Sequence, residues 1–345
     1  MQYYNSNLLF SYNKDLMCVM DLRGYGKTTH FMMKCFDLAI RHKKCKFAWF
    51  RRTRTECDEL INSKSFGKNI ERLFPKTMRG YSVNVVGNNI WFEKAYPSGK
   101  VDKFIGGILS YYGRFKSKKG IEYPYIDLVV VDEVLPEDGK FIKGEYAMLL
   151  SLLDSIFRER RVRCVLLSNT ATIVNPYFNA WGITKLENGF TTIKKHSVVV
   201  EYGTPASRMF GEARKDTSIG RLASGTEYGE YANDSKFLLD DPTDVEPIMP
   251  KGKCDQLINL CCNGMLISCT LVNGVLYLGK GRDKTRKAVS PYIDDAKGGN
   301  AYFADKTHPF LKMIKNQFMS GLCLFENQMI KNEIVLIVRK MVRGF

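Results

Sequence analysis

Residues 21–28, DLRGYGKT, combine glycines, a lysine and a threonine in an order that can hold a phosphate group. They follow the apolar run LMCVM at 16–20, which has the length of a buried strand. A helical pattern continues from about residue 28 to residue 41, with apolar residues recurring at steps of three and four. A strand, a glycine-bearing turn and a helix in this order are the setting of a phosphate-binding loop.

Each residue of this loop would have a physical task. Gly24 and Gly26 let backbone N–H groups face a concave nest, and the helix N-terminus adds the positive end of its dipole. Lys27 would pair with the β- and γ-phosphates of a nucleotide, and Thr28 would hold Mg²⁺. Asp21 stands where the P-loop pattern G-x-x-x-x-G-K-[ST] has its first Gly, and a side chain there must tolerate the turn.

The segment DLVVVDE at 127–133 has the pattern of a buried strand that ends in two carboxylates. Asp132 would help to hold Mg²⁺, and Glu133 would polarise the attacking water as general base. Asp132 follows Lys27 by 105 residues, and we expect its strand to lie near the loop in the same sheet. The two motifs together predict a P-loop ATPase that uses ATP and Mg²⁺ and has a catalytic glutamate.

A third segment, RERRVRCVLLSN, begins at Arg158 and leads into another buried strand. Ser168 and Asn169 end that strand, where polar side chains can sense the γ-phosphate or couple hydrolysis to movement; for Asn169 a capping role is equally open. Arg158 is a candidate arginine finger for a neighbouring subunit's nucleotide, because guanidinium matches phosphate geometry. For Arg160 and Arg161 we favour a solvated helix end.

The 345-residue chain has 45% apolar residues and a net charge of +16, a composition that supports two packed domains. The charge is uneven, with +13 in residues 1–200 and +3 in the remainder. This excess indicates a polyanionic partner that binds mainly to the N-terminal part, and nucleic acid is favoured over a membrane. The alternative is that the charge serves solubility or reflects a nucleic-acid-rich host compartment. The cysteine and histidine spacing predicts a reduced intracellular protein without a zinc site. The sequence has neither a signal-peptide pattern nor a membrane-length apolar run.

Basic residues also cluster in loops. Residues 111–119, YYGRFKSKK, interleave aromatic and basic side chains and suit phosphate contacts or base stacking. The candidates for DNA contact are Arg114, Lys116 and Lys118 there and the loop 280–287. After an earlier strand come Arg51, Arg52 and Arg54, which could face nucleotide or DNA. A solvated loop is the alternative for each stretch, but together they favour a protein that binds the DNA backbone without sequence readout.

Arg23 and Thr29 complete the predicted ATP-binding set. Arg23 has two possible tasks inside the loop. It could contact phosphate, or it could pair with Glu133 and hold that carboxylate inactive until DNA is gripped.

Short apolar runs alternate with helical patterns up to about residue 200, which predicts a parallel sheet covered on both faces. Residues 200–255 then accumulate Gly, Pro, Ser and acidic side chains without periodicity, and the connection between domains is expected within 200–230. Three apolar stretches over 256–278 are separated by Asn-Gly pairs at 263–264 and 273–274, which are strong hairpin signals. Helices at about 307–320 and 326–342 finish a smaller α+β domain.

With these motifs in place, the chain resembles the DNA-packaging ATPases of small phi29-like podophages, compact relatives of large-terminase motors. The similarity runs over most of the length. Besides RGYGKT and VVVDE it includes FRERRVRCVLLSN, VNPYF at 174–178, GRLASGTEYGE at 220–230 and FENQMIKN at 325–332.

The resemblance implies an α/β fold, with an additional-strand, catalytic-glutamate P-loop sheet that carries helices on both faces. It also implies a smaller C-terminal α+β domain that is RNase H-like and has lost nuclease activity. We place the ATPase domain at 1–205, a linker at 206–229 and the C-terminal domain at 230–345.

The resemblance also assigns individual residues. It places Lys27 and Thr28 at nucleotide-binding positions, Asp132 and Glu133 at metal and catalytic positions, and Arg158 and Lys119 at positions proposed to act between subunits. The implied partners are double-stranded DNA, further copies in a pentameric ring, the procapsid portal and a packaging RNA. The implied location is the host cytoplasm, with transient attachment to the procapsid.

Loss of nuclease activity also follows from the residues. An RNase H-like site needs a carboxylate on its first central strand, near others that hold two metals. The candidate strand, LINLCC at 257–262, has none, and we interpret Asp240, Asp241, Asp294 and Asp295 as loop residues. The sequence therefore predicts no DNA cleavage.

We thus expect ATP-driven translocation of double-stranded viral DNA into a procapsid. One alternative is another DNA-translocating P-loop ATPase such as a helicase, although the sequence has no helicase motifs beyond the two shared ones. The other is a non-hydrolysing DNA-binding scaffold whose P-loop is degenerate at Asp21.

Overall fold

A computed structural model describes residues 2–43, 46–63, 66–112, 126–281, 287–297, 299 and 301–343. The chain divides into two compact units, Met1–Leu239 and Asp240–Phe345. The predicted α/β architecture with a large parallel sheet is confirmed.

The sheet of the first unit is built from short apolar strands. They are β1 (Leu16–Met20), β2 (Lys46–Arg51), β3 (Ser82–Val86), β4 (Asn89–Ala95), β5 (Val101–Tyr111), β6 (Ile126–Asp132), β7 (Cys164–Ser168), β8 (Gly189–Ile193) and β9 (Val198–Tyr202). Within the described residues their order is β3-β4-β5-β2-β6-β7-β1-β9-β8. The six central strands of this order, β5-β2-β6-β7-β1-β9, run parallel. The outer strands β3, β4 and β8 pair antiparallel to their neighbours. The strand β7 lies between β1 and β6, as the additional strand that the resemblance implied.

Helices connect these strands. Those described are α1 (Asn7–Ser11), α2 (Lys27–Arg41), α3 (Arg54–Asn62), α4 (Lys68–Leu73), α5 (Pro75–Met78), α6 (Glu145–Phe157), α7 (Pro176–Trp181), α8 (Pro205–Lys215), α9 (Ser218–Ala223) and α10 (Glu227–Asp234). Successive side chains of a strand face opposite sides, so β1 contributes Met17 and Val19 to the core beneath α2 and its other residues to the core beneath α6. Both faces of the sheet are covered, as predicted.

Residues 206–229, expected as a linker, instead lie in α8, α9 and the start of α10, inside a first unit that extends to Leu239. Thr204, Thr217 and Thr226 each cap one of these helices through the side-chain oxygen. Gly211, Gly220 and Gly229 leave only 2.1 Å between an ideal Cβ and a neighbouring carbonyl oxygen. The threonines and glycines of this segment therefore serve as helix caps and as points of close backbone packing. A segment rich in these residues has the composition of a linker although it is helical.

The second unit has strands β10 (Cys254–Gln256), β11 (Asn259–Cys262), β12 (Met265–Val272), β13 (Val275–Lys280), β14 (Ala288–Ser290), β15 (Tyr302–Phe303) and β16 (Cys323–Phe325). Its described helices are α11 (Ile293–Lys297), α12 (Pro309–Met319) and α13 (Gln328–Arg343). The strands β11, β12 and β13 form an antiparallel meander, and β14 pairs parallel to β11. Both predicted Asn-Gly turns have positive φ at both residues, as two-residue hairpins require.

The predicted α+β character of this unit is confirmed, and β11 holds Asn259 but no acid. Asp294 and Asp295 differ from the prediction, because they lie in the first turn of α11 rather than in a loop. Asp295 accepts hydrogen bonds from the backbone N–H groups of Asn263 and Gly264 at 2.9 and 2.8 Å, which fixes the first hairpin turn to that helix. No helix of the described residues is long and apolar enough to cross a membrane.

Candidate active site

The carboxyl ends of β1, β6 and β7 meet at one edge of the first sheet because the three strands are parallel. This edge carries the loop before α2, the acids that end β6 and the polar residues that end β7. The sequence motifs that were predicted to share one nucleotide are therefore brought together, with β7 between the other two strands.

The loop has the predicted backbone shape. Gly24 and Gly26 have φ of +79° and +92°, a region that favours glycine. The Lys27 ammonium donates to the carbonyl oxygens of Asp21 and Leu22, both at 2.7 Å, and to Asn169 Oδ1 at 3.2 Å. Burial lowers the pKa of Lys27 to about 8, against the opposing charges of Asp21 and Asp132.

Asp21 does not occupy a strained turn position, since it is absent from the described residues with positive φ. Its buried carboxylate accepts hydrogen bonds from the N–H of Leu22 at 2.8 Å and from the hydroxyl of Ser207 in α8. Burial raises the pKa of Asp21, although both hydrogen bonds and Lys27 oppose that rise. Asp21 therefore anchors the start of the loop to α8.

Thr28 and Asp132 form a pair suited to Mg²⁺. The Thr28 hydroxyl donates to Asp132 Oδ1 at 3.0 Å, and Asp132 is only 2% exposed. Its other oxygen, Oδ2, accepts no hydrogen bond from the described residues and has Arg51 Nη2 at 3.1 Å. Burial raises the pKa of Asp132, and the Arg51 charge opposes the rise. Hard oxygen donors are what Mg²⁺ prefers, so these residues fit the ion.

Glu133 is held by Arg51, one of the three arginines expected to face nucleotide or DNA. Arg51 ends β2, next to β6 in the sheet, and its Nη1 lies 2.5 Å from Glu133 Oε2. The predicted pairing of Arg23 with Glu133 is wrong, because Arg23 Nη1 binds Glu137 Oε1 at 2.7 Å. The backbone of Glu133 is left-handed, with φ of +57°.

Glu137 accepts hydrogen bonds from three separate segments of the chain. Besides Arg23 it accepts hydrogen bonds from Asn169 Nδ2 at 3.0 Å and from the hydroxyl of Tyr231 in α10 at 2.5 Å. Burial alone would raise the pKa of Glu137, but these hydrogen bonds and the Arg23 charge bring it below its usual value. Asn169 therefore connects Lys27 to Glu137, whereas the Ser168 hydroxyl turns back to the carbonyl of Asn169 at 2.8 Å.

The N-terminal segment lies against the loop. Tyr4 is buried and donates to Glu201 Oε2 at 2.8 Å, and burial raises the pKa of Glu201 to about 7. Tyr3 is 63% exposed, and its ring lies 3.2 Å from the position of an ideal Cβ on Gly26. Tyr4 also contacts the phosphate loop, since its N–H donates to the Tyr25 carbonyl at 3.0 Å, but Tyr3 has the exposed ring beside Gly26.

Several predicted residues lie elsewhere. Arg158 follows α6 and precedes β7, at the opposite edge of the sheet. Arg160 and Arg161 are more than solvated helix ends, since they bind the carbonyls of Ile126 and Asn13 at 2.9 and 2.7 Å. The predicted residues Arg114, Lys116, Lys118 and Lys119 lie outside the described part of the chain.

Of the other early arginines, Arg52 is buried and donates through Nε to Glu145 Oε1 at 2.8 Å. Arg54 is exposed and pairs with Asp58 at 3.3 Å. Only Arg51 of this trio reaches the acids that end β6, so the trio does not act as one basic surface.

The chain is similar to known proteins over most of its length. The family model described as "Podovirus DNA encapsidation protein (Gp16)" matches residues 1–342. The DNA packaging protein of Bacillus phage phi29 is 28% identical over 346 residues, and the match covers 98% of each chain. The DNA packaging protein of Bacillus phage B103 is 27% identical over 330 residues, and the match covers 94% of this chain and 96% of the phage B103 protein. The bacteriophage phi29 viral genome packaging motor assembly contains a chain of similar fold, with a TM-score of 0.70, 24% identity, and coverage of 99% of this chain and 100% of its own.

Proposed function

The chain belongs to the podovirus DNA encapsidation protein (Gp16) family, so DNA packaging is its function, and we propose that it drives packaging by hydrolysing ATP at the carboxyl edge of the first sheet. The observation that most supports this is the convergence of two separate motifs. Thr28 bonds to Asp132 at 3.0 Å, while Lys27 of the same loop reaches Asn169 at 3.2 Å.

The loop would bind the triphosphate through its backbone N–H groups and the N-terminal end of α2. Lys27, now bound to two loop carbonyls, would exchange them for phosphate oxygens. Thr28 and Asp132 would hold Mg²⁺, which neutralises charge on the β- and γ-phosphates when bound. Arg23 would reach phosphate by leaving Glu137.

Glu133 would act as the general base. Its carboxylate accepts a proton from water as the water oxygen attacks the γ-phosphorus, and the bond from that phosphorus to the ADP oxygen breaks. A carboxylate paired with a guanidinium is a poor proton acceptor, so Arg51 must release Glu133 before this step. We infer that DNA engagement favours the release.

Replacing Arg51 by Gln is therefore expected to raise ATP turnover without DNA several-fold and to lower the ratio of DNA-stimulated to unstimulated rates. Steady-state phosphate release measures both rates. The matched control is Arg72→Gln, because Arg72 is an exposed arginine on α4, outside the site. An unchanged stimulation ratio in Arg51→Gln, with ATP binding intact, would remove the gating role.

Neighbouring copies would complete the site. Arg158 lies at the sheet edge opposite its own loop, so its contact with nucleotide requires another subunit, and we assign Lys119 the same role. The assembly we propose is a pentameric ring on the procapsid portal, in the host cytoplasm, with a packaging RNA as a further partner.

Translocation can be separated from strand separation in one assay. We expect ATP-dependent displacement of a third strand from a triplex, because a motor moving along duplex DNA strips what is bound in its path. A frayed duplex without the third strand should stay paired. Separation of that duplex would favour the helicase alternative, and absence of both activities together with absence of ATP turnover would favour the scaffold.

A further inference from the structure

A large cavity lies at the amino edge of the first sheet, opposite the phosphate loop. Its volume is about 1090 Å³, the size of a ligand cleft. The second half of α2, the start of α5, the first residues of β6 and the segment between α6 and β7 form its walls. β6 is seven residues long, so about 20 Å of strand separates this cavity from the ATP site.

The cavity walls are strongly cationic. Six basic side chains line it, namely Lys34, Arg41, Lys76, Arg160, Arg161 and Arg163, against two acids, Asp37 and Asp127. The acids are already engaged, since Asp37 pairs with Arg41 and Arg79, and Asp127 has Arg160 at 3.9 Å. The charge that remains is positive.

Three of these cations have no carboxylate within 4 Å among the described residues. Lys76 and Arg163 are exposed at the rim. Lys34 is deeper, with its ammonium 4.3 Å from the centre of the Phe10 ring and 3.2 Å from the Ser6 hydroxyl. Burial lowers the pKa of Lys34, which shows that its charge is poorly solvated. A cation left in this state is stabilised by an incoming anion.

We propose that this cavity binds the phosphodiester backbone of a nucleic acid, with Lys76 and Arg163 as the outer contacts and Lys34 as the inner one. A phosphodiester backbone suits this concave wall, because it presents several negative charges to several cations at once. The inference rests on DNA packaging as the function and is independent of the ATPase mechanism. Duplex DNA and a structured RNA share this backbone chemistry.

The test compares two double variants of the full chain with the same change in net charge. Lys76→Glu with Arg163→Glu removes the outer contacts, and Lys68→Glu with Lys185→Glu changes two exposed lysines outside the cavity. Fluorescence anisotropy with a 30-base-pair DNA duplex and with an RNA hairpin measures affinity over a series of salt concentrations.

For at least one of the two probes, we expect the cavity variant to lose about tenfold or more in affinity. Its slope of log affinity against log salt should be shallower than that of the control by about 2, since each phosphate contact contributes about 0.9. The probe that is affected identifies the nucleic acid, and Lys34→Met should weaken the same one. Equal behaviour of cavity and control variants with both probes would overturn the proposal.

Binding of a fluorescent ATP analogue should be unchanged, because the ATP site lies at the other edge. This readout separates failure of the cavity from failure of the ATPase proposal. If the variant with Lys76→Glu and Arg163→Glu does not fold, the variant with Lys76→Gln and Arg163→Gln is measured in its place with the same two probes. Its slope of log affinity against log salt should also become shallower.

Discussion

Replacing Glu133 by Gln should lower DNA-stimulated ATP turnover by about 10²–10⁴-fold, the usual contribution of a general base. The amide has nearly the same shape but cannot accept the proton of the attacking water. ATP binding should be retained, because Lys27, Thr28 and Asp132 are untouched. Initial rates of phosphate release and titration with a fluorescent ATP analogue measure the two properties.

The matched control is Glu159→Gln, an exposed acid beyond the end of α6 that should leave both properties unchanged. A Glu133→Gln variant that keeps more than about a tenth of the rate would point to another base. Glu137 would then be the candidate, as the other glutamate that follows β6 and lines the same cleft.

Replacing Glu145 by Ala should have the largest effect on stability, lowering the free energy of unfolding of the first unit by about 3–5 kcal/mol. Glu145 is fully buried and accepts hydrogen bonds from Arg52, the Ile142 N–H and the Tyr177 hydroxyl. Its removal leaves the Arg52 guanidinium buried without its carboxylate. Urea unfolding followed by tryptophan fluorescence measures the loss, since all three tryptophans lie in the first unit.

Glu93→Ala provides the comparison, because Glu93 forms a half-exposed pair with Lys103 at 3.0 Å. Exposed pairs contribute about 0–1 kcal/mol. If Glu145→Ala and Glu93→Ala lower the free energy of unfolding equally, the buried pair stabilises the first unit no more than an exposed pair does. The pair would then not be what holds Arg52 and the end of β2 in place.

The sequence was sufficient for the parts of the site that follow local rules. A buried strand, a glycine turn and a helix located Lys27 and Thr28, and a run of apolar residues ending in acids located Asp132 and Glu133. Parallel strands bring their carboxyl ends to one edge, so the meeting of these residues could be predicted. The position of β7 between β1 and β6 came only from the resemblance, since periodicity does not order strands.

Side-chain partners could not be predicted in the same way. The sequence suggests Glu133 as a carboxylate for Arg23, but the observed partner is Glu137, which lies in the loop after β6, and periodicity does not predict the path of a loop. Arg51 was found as one of three neighbouring arginines, but its contact with Glu133 depends on the order of β2 and β6. No local signal marks Tyr231 as a partner of Glu137.

The contacts of the last residues of the first unit determine where a pulling force on the chain would act. The helix α10 of this unit ends at Asp234, close to the end of the unit at Leu239. The residues after α10 are fixed beside the end of β7, because the N–H groups of Leu238 and Leu239 donate to the carbonyls of Thr170 and Ala171 at 3.0 and 2.9 Å. A load on the chain beyond Leu239 would therefore reach Ala171 and Thr170 first, and Thr170 is one residue from the Asn169 side chain that joins Lys27 to Glu137.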